Sequence, residues 1–123
     1  MIEQDITKVV LEAAYKVHST LGPGLLESAY KMCMAYELRK KGYKVEVEKV
    51  LPLVYEDIYL EYGYRMDLVV NDKVVVELKC VDCFNDVHIA QLLTYLRLAE
   101  KRVGLLLNFK VKSLRDGVKR VVL

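Results

Sequence analysis

The stretch from Tyr64 to Lys79 reads YRMDLVVNDKVVVELK, and the fold of the chain is organised around it. Two apolar runs flank Asn71-Asp72, a residue pair typical of tight turns, so the stretch predicts a β-hairpin. Asp67 interrupts the first strand, and Glu77 and Lys79 lie at the end of the second. Ionised groups in an apolar sheet are costly unless they are paired, hydrated or bound to a metal. These three side chains therefore predict a functional site.

The length of the turn decides whether the two carboxylates meet. Side chains two residues apart in a strand share a face, so Glu77 and Lys79 point the same way. A two-residue loop would place Asp67 opposite Val76 and turn it away from Glu77. A three-residue loop, Asn71-Asp72-Lys73, would place Asp67 directly opposite Glu77. A site built from both carboxylates thus requires the longer loop or a bulge.

Two converging carboxylates would form a hard oxygen site suited to Mg²⁺ or Mn²⁺. Such an ion can polarise a phosphodiester and help to ionise a water nucleophile. A nearby lysine can stabilise the charge that develops on the phosphate. The structural alternative is a salt bridge between Glu77 and Lys79 at a strand end. Because short motifs of this kind occur often by chance, the spacing alone leaves both interpretations open.

Three helices are predicted around the hairpin. Apolar residues recur at helical spacing over residues 3–21, and His18 is expected to be a surface or C-terminal helix histidine that favours the helix dipole, not a ligand. A second helix is expected from Leu25 to Lys41, with Gly42 as its C-terminal cap. A third is expected from Val87 to about Lys101, with Asp86 as its N-cap.

One face of the third helix carries three hydrogen-bonding side chains, His88, Gln91 and Tyr95, at the spacing i, i+3 and i+7. A different stripe is apolar and is expected to face the core; it consists of Ile89, Leu92, Leu93 and Leu96. The helix is therefore expected to pack on the sheet while it presents a polar row beside the hairpin.

Further strands are predicted on both sides of the hairpin, around Val45–Val47 and over Val50–Tyr55, Ile58–Tyr62, Val103–Phe109 and Val118–Val122. Pro52 cannot donate to a ladder and predicts a bulge or an edge, and Gly104 allows a close approach of another element. The pattern predicts an α/β fold, in which a central mixed β-sheet packs between the first two helices and the third.

The composition is that of one globular domain, with 123 residues of which 54% are hydrophobic. The net charge of +2 is too small to indicate a nucleic-acid-binding protein by itself. Residues 97–123, however, carry eight Lys or Arg against two acidic residues. This segment fits a polyanion, although solvated Lys and Arg on a surface are the commoner meaning.

The three cysteines, Cys33, Cys80 and Cys83, are an odd number in a sequence without a secretory signal, which predicts free thiols in the cytoplasm. Cys80 and Cys83 form a single CxxC, whereas a closed zinc site needs about four ligands, so a thiolate metal site is not expected. No apolar run approaches the roughly 18 residues that cross a bilayer, so no membrane association is expected.

Two sets of motifs carry a resemblance to a known family. Asp67, Glu77-Leu78-Lys79 and Gln91-Leu-Leu-Thr-Tyr95 resemble the PD-(D/E)XK nuclease superfamily, including the QxxxY element of its RecB-like branch. The small bacterial and archaeal GxxExxY proteins within that superfamily are similar over nearly the whole chain, through Gly24-Leu-Leu-Glu27-Ser-Ala-Tyr30, Gly63-Tyr-Arg-Met-Asp67 and Asn108-Phe109. Met66 stands where the superfamily motif has its proline.

The resemblance implies a restriction-endonuclease-like core in a single domain over residues 1–123, and Mg²⁺- or Mn²⁺-dependent hydrolysis of nucleic acid, with DNA favoured. It implies Asp67 and Glu77 as metal ligands, helped by the carbonyl of Leu78. Lys79 becomes the catalytic lysine, and Glu27 an acidic residue that the second helix turns toward the metal.

The resemblance also assigns roles to the third helix and to Tyr30. Gln91 and Tyr95 would orient Lys79 or hold a substrate phosphate, and His88 is expected beside them as a substrate-binding residue. Tyr30 is expected to be a packing residue that fixes Glu27.

Two alternatives stay open: a non-catalytic nucleic-acid- or protein-binding module with the same fold, and a subunit that is active only with a partner. Catalysis is favoured because a binding-only descendant has no physical need to keep Asp67, Glu77, Lys79 and Gln91 together. Cleavage of both strands of a duplex would favour a homodimer.

Overall fold

A five-stranded mixed sheet forms the centre of the computed structural model, which describes residues 2–123 apart from the side chain of Tyr62. The strands cross the sheet in chain order: β1 (Val45–Tyr55), β2 (Ile58–Val70), β3 (Val74–Lys79), β4 (Val103–Asn108) and β5 (Val118–Val122). β3 and β4 are parallel, and the other neighbours are antiparallel. The helices are α1 (Ile2–Leu21), α2 (Glu27–Lys40) and α3 (Asp86–Ala99), and a short 3₁₀ helix spans Leu114–Gly117. None of the helices within residues 2–123 is long and apolar enough to cross a membrane.

The sheet separates two apolar cores. α1 and α2 pack on one face, where they meet alternate residues of the central strands such as Leu68, Val76 and Leu78. α3 packs on the other face, against Val69 and Val75. A Cβ atom at Gly104 would approach the Leu92 side chain of α3 to 3.0 Å, so glycine lets this helix lie close to β4. The predicted α/β fold with a central mixed sheet between helices is confirmed.

The hairpin between β2 and β3 has the register that the site requires. Val70 pairs with Val74, and the Lys73 N–H donates to the Val70 carbonyl at 3.0 Å. Asn71 and Asp72 have φ angles of 50° and 56°, in the left-handed region that these two residue types tolerate better than most. The three-residue loop is therefore confirmed, and the two-residue loop is excluded.

The strands before the hairpin are longer than predicted. The expected segments at Val45 and Val50–Tyr55 form one continuous strand, and the segment from Ile58 runs on through Gly63 to Val70. A register shift between Leu51 and Leu53 confirms the bulge predicted at Pro52. β2 pairs with β3 only over Leu68–Val70, so the half of the β1–β2 hairpin nearest its turn extends beyond the other three strands.

Helix ends differ from prediction by one or two residues. α2 begins at Glu27 and ends at Lys40, with Gly42 at a φ of 88° as expected for a C-terminal cap. Asn85 rather than Asp86 is the N-cap of α3, because the Asn85 side chain accepts hydrogen bonds from Val87 N at 2.9 Å and His88 N at 3.2 Å. The predicted cap was wrong because two good capping residues are adjacent in sequence.

His18 lies in the last turn of α1, as one of the two expectations had it, but it is buried, so the expectation of a surface position was wrong. Its side chain is buried, its Nε2 atom lies 2.8 Å from the Val111 carbonyl oxygen, and its ring lies 6.0 Å from that of Phe109. The histidine thereby joins α1 to the segment after β4, a long-range contact that local sequence does not reveal.

Candidate active site

The carboxylates of Asp67 and Glu77 lie together at the junction of β2 and β3. The Asp67 N–H donates to Glu77 Oε2 at 2.7 Å, and the Leu78 N–H donates to Asp67 Oδ2 at 2.9 Å. Each side chain thus binds the backbone of the opposite strand. These two hydrogen bonds hold both carboxyl groups in fixed positions.

Asp67 lies where β2 is paired with neither of its neighbouring strands, β1 and β3. On the β1 side, Val47 pairs with Leu68 and Lys49 with Met66, whereas Glu48 between them has a φ of 51°. On the β3 side the ladder runs from Val74 to Val76, short of Glu77. The side chains of the two acids therefore supply hydrogen bonds at a level where regular strand pairing has ended.

Glu77 is nearly inaccessible, with 4% of its surface exposed. Burial, followed by the charge of Asp67, raises the pKa of Glu77 to about 8. At neutral pH the metal-free protein therefore holds a proton on Glu77, because the buried carboxylate is desolvated and lies beside the charge of half-buried Asp67. A bound cation would remove that penalty, so the pair fits a divalent metal ion in both ligand chemistry and charge.

The backbone of Leu78 faces the same place. Its side chain is buried in the core under α1 and α2, while its N–H points toward β2 and Asp67. Within an extended strand the N–H and C=O groups of one residue point to the same side, so the Leu78 carbonyl also faces β2. Among the residues that the structure describes, no three His, Cys, Asp or Glu side chains converge on one metal position. A metal here would be held by two carboxylates, a carbonyl and water.

Lys79 and Gln91 meet across the gap between β3 and α3. The Lys79 Nζ atom lies 3.5 Å from Gln91 Oε1. Lys79 ends β3 on the face that Glu77 shares, and its carbonyl accepts from Phe109 N at 3.0 Å, which fixes the strand end. The structure thus brings together Asp67, Glu77, Lys79 and Gln91 at one end of the hairpin.

A cleft of about 180 Å³ opens beside Gln91, and its lining also includes Tyr64 and Tyr95. The rings of these tyrosines meet edge to face with centroids 6.3 Å apart. Burial, and then the charges of Glu77 and Asp67, raise the pKa of Tyr95. Its hydroxyl therefore stays protonated at neutral pH and is a hydrogen-bond donor.

Glu27 lies at the end of β3 instead of beside the two carboxylates. Its Oε1 accepts from the Cys80 N–H at 3.0 Å, one residue past Lys79. Its place in the first turn of α2 suits the helix dipole. The bond ties the start of α2 to the strand end that carries Lys79.

His88 takes part in the cap of α3. Its Nδ1 accepts from the Asn85 N–H at 3.2 Å, and its ring meets Phe84 at a centroid distance of 6.0 Å. That nitrogen is committed to a structural contact, which leaves Nε2 as the ring atom that could meet a substrate.

Tyr30 and Phe109 form the support behind the site. Tyr30 is fully buried, stacks on Phe109 at 4.5 Å, and its hydroxyl donates to the Gly22 carbonyl and accepts from Leu25 N. The tyrosine thus secures the loop that leads into Glu27, which agrees with the predicted packing role.

Asn108 is buried and fastens the loop that follows β3. Its side chain donates to the Val81 carbonyl at 2.8 Å and accepts from Val81 N at 3.2 Å and Lys110 N at 3.1 Å. Two segments after parallel strands are thereby held by one amide, and with them the end of β3.

Lys31 and Glu48 are site residues that the sequence did not reveal. Lys31 Nζ lies 3.5 Å from Asp67 Oδ1 and 3.7 Å from Glu48 Oε1. The i, i+4 spacing of Glu27 and Lys31 on one helix could have identified the lysine. The left-handed backbone that marks Glu48 has no counterpart in the sequence pattern.

The other predicted features lie outside this cluster. Cys33, Cys80 and Cys83 are free thiols, as predicted. Within the basic C-terminal segment, Lys101 pairs with Asp72 at 3.1 Å and Lys110 with Asp82 at 2.8 Å. These partners neutralise part of the positive charge that suggested a polyanion.

Comparison with known proteins agrees with the geometry. A family model described as the PD-(D/E)XK nuclease superfamily matches residues 4–121. No curated protein and no solved structure matches the chain. The matched range contains all five strands up to Val121 and every side chain of the site described above. The chain belongs to the PD-(D/E)XK nuclease superfamily.

Proposed function

We propose that the protein is a metal-dependent nuclease that hydrolyses phosphodiester bonds in nucleic acid, with DNA as the favoured substrate. The reciprocal hydrogen bonding of Asp67 and Glu77, with Lys79 two residues further on the same face, carries this proposal. A salt bridge between Glu77 and Lys79, the structural alternative, explains neither the paired acids nor the contact of Lys79 with Gln91.

Asp67, Glu77 and the Leu78 carbonyl would hold Mg²⁺ or Mn²⁺. When bound, the ion would supply Lewis-acid activation of the phosphodiester and lower the pKa of a coordinated water. The two acids hold their positions through the backbone bonds described above, so little reorganisation would accompany binding.

Three side chains on the α3 side would act on the substrate. The Lys79 ammonium would stabilise charge on the phosphate, and Gln91, which accepts from it, would orient it. The protonated Tyr95 hydroxyl would donate to a phosphate oxygen. Glu27 would act from the end of β3, and His88 from the start of α3 through Nε2.

Narrower assignments are also part of the proposal. The Gly24, Glu27 and Tyr30 motif supports membership of the GxxExxY proteins, with Tyr30 and Glu27 in the structural positions described above. Basic residues between β4 and β5, such as Lys112 and Arg115, would attract a polyanion. Cutting both strands of a duplex would require two sites, which a homodimer in the cytoplasm would provide.

A cleavage assay tests the proposal. Labelled single- and double-stranded DNA and RNA are incubated with Mg²⁺ or Mn²⁺ and with the wild type, Lys79→Ala or Glu77→Ala. Lys16→Ala serves as a matched control, because Lys16 is exposed and pairs with Glu37 on the helical surface. We expect cleavage by the wild type and the control, and a loss of at least about 100-fold in both site variants.

Each other outcome has a definite meaning. Equal activity in all four proteins would show that the cleavage does not come from this site. Binding of nucleic acid without cleavage, under every metal condition, would support a non-catalytic module of the same fold.

A further inference from the structure

Lys31 places a positive charge against the candidate metal site. Its side chain is 15% exposed, and its ammonium lies 3.5 Å from Asp67 Oδ1. Oδ1 is the oxygen of Asp67 that does not accept from the Leu78 N–H, since that bond goes to Oδ2. The lysine therefore occupies the side of Asp67 that is directed away from β3.

Glu48 offers the same ammonium a second acceptor, with Oε1 at 3.7 Å. Its left-handed backbone interrupts the β1–β2 ladder directly beside Asp67 and places Glu48 next to the site. Both distances exceed the roughly 2.8 Å of a tight charge-assisted hydrogen bond, so the ammonium is shared between the two carboxylates.

We propose that Lys31 is an internal counter-ion of the metal-free site, and that it transfers from Asp67 to Glu48 when a divalent cation binds. This inference rests on the proposed metal dependence. Beyond that dependence, it assigns two new roles. The Lys31 ammonium competes with the metal ion for Asp67, and the Glu48 carboxylate accepts the displaced ammonium.

The charges of the site give the proposal its physical basis. Without metal, the Lys31 ammonium neutralises the Asp67 carboxylate, which has no other cation within ion-pair distance among the described residues. With metal, the same ammonium would lie beside a divalent cation and repel it. Glu48 is 54% exposed at its side chain, so it can follow the ammonium toward solvent.

Isothermal titration with Mg²⁺, without nucleic acid, tests the transfer. The proteins are the wild type, Lys31→Met, Glu48→Gln, the double variant, and Lys16→Met as the surface control. The titrations are made at pH 9, above the pKa of about 8 of Glu77, so that proton release contributes little.

We expect Lys31→Met to bind Mg²⁺ about tenfold more tightly, because a competing charge is removed. Glu48→Gln should weaken binding about threefold, because the ammonium loses its alternative acceptor. In the Lys31→Met background, Glu48→Gln should have little effect, and this non-additivity distinguishes transfer from simple charge addition.

Thermal unfolding gives a second readout. In EDTA, Lys31→Met should unfold at a lower temperature than the wild type, and saturating Mg²⁺ should close that gap. If the methionine variant fails to fold, Lys31→Gln replaces it. A gap of equal size with and without Mg²⁺ would indicate a purely structural lysine.

The contrary results separate the two proposals. Additive effects of Lys31→Met and Glu48→Gln, or unchanged affinity in Lys31→Met, would overturn the transfer and leave the nuclease intact. Absence of Mg²⁺ binding in all five proteins would overturn both. Binding by Lys31→Met but not by the wild type would overturn the transfer, because it would show that Lys31 stays on Asp67 and blocks the site.

Discussion

Asp67 and Glu77 each accept a hydrogen bond from the strand that carries the other, at 2.9 Å from Leu78 N and at 2.7 Å from Asp67 N respectively. These bonds replace strand pairing at the point where the β2–β3 ladder ends. The hairpin geometry therefore positions the two acids, and the two acids in turn stabilise the hairpin, so a change to either should affect both.

Glu77→Gln should alter how stability depends on pH. In the metal-free wild type the folded protein keeps a proton on Glu77 up to about pH 8, while the unfolded chain releases it near its ordinary pKa of 4.5. Between these values the unfolded state binds fewer protons, so the free energy of unfolding falls as pH rises, by about 1.4 kcal/mol per pH unit. Glutamine does not titrate, and its amide oxygen can still accept from Asp67 N.

Urea unfolding in EDTA at pH 4.5 and pH 8.5 measures the effect. The variant should be close to the wild type at the lower pH and more stable by at least about 2 kcal/mol at the higher pH. Glu12→Gln, at an exposed pair with Lys41, should follow the wild type. A difference between Glu77→Gln and wild type that does not change with pH would contradict the raised pKa.

Mg²⁺ binding should release a proton below pH 8. Glu77 must ionise to serve as a ligand, and its pKa in the metal-free protein is about 8. Affinity should therefore fall about tenfold for each pH unit between pH 7 and pH 6. Calorimetry in two buffers of different ionisation enthalpy should report about one proton released per ion at pH 6.5. Equal heats in the two buffers would show that Glu77 does not lose a proton on binding.

Deletion of Lys73 should disrupt the site through the loop. The three-residue loop pairs Leu68 with Val76, which brings Asp67 to the level of Glu77, and one residue fewer turns the β2 side chains to the opposite layer. We expect loss of Mg²⁺ binding and a loss of stability of several kcal/mol, because buried Leu68 and Val70 would have to change faces.

Lys73→Ala keeps the loop length and is the matched control. It should retain the stability and the Mg²⁺ affinity of the wild type, because Lys73 contributes its backbone N–H to the turn. A deletion variant that binds Mg²⁺ as the wild type does would show that the register does not control the site.

Asn108→Ala should destabilise the end of β3. The change leaves Val81 N, the Val81 carbonyl and Lys110 N without their side-chain partner in a partly buried setting. We expect a cost of about 2 to 4 kcal/mol in urea unfolding. Asn85→Ala, which removes only the N-cap of α3, should cost about 1 kcal/mol. Equal costs for the two variants would mean that the Asn108 contacts do not secure the loop.

Local sequence patterns predicted much of the fold. Some features depend only on neighbouring residues, so they could be predicted: the apolar periodicity of α1, the Gly42 cap, and the apolar runs of β2 and β3 around Asn71-Asp72. The same reasoning was wrong for His18, because its contact with Val111 joins segments far apart in sequence. It was also wrong for the cap of α3, where local preference does not choose between Asn85 and Asp86.

The sequence by itself determined that two strands carry Asp67, Glu77 and Lys79, and it reduced their meeting to a choice between two loop lengths. Only the tertiary structure chose the three-residue loop, because burial of alternate side chains on both faces of the sheet selects one register. The tertiary structure also determined which other charged side chains lie near the two acids. Lys31 on α2 lies next to Asp67, and Glu48 in β1, whose own backbone is left-handed, lies next to Lys31. Such contacts arise from packing between elements, which no local pattern records.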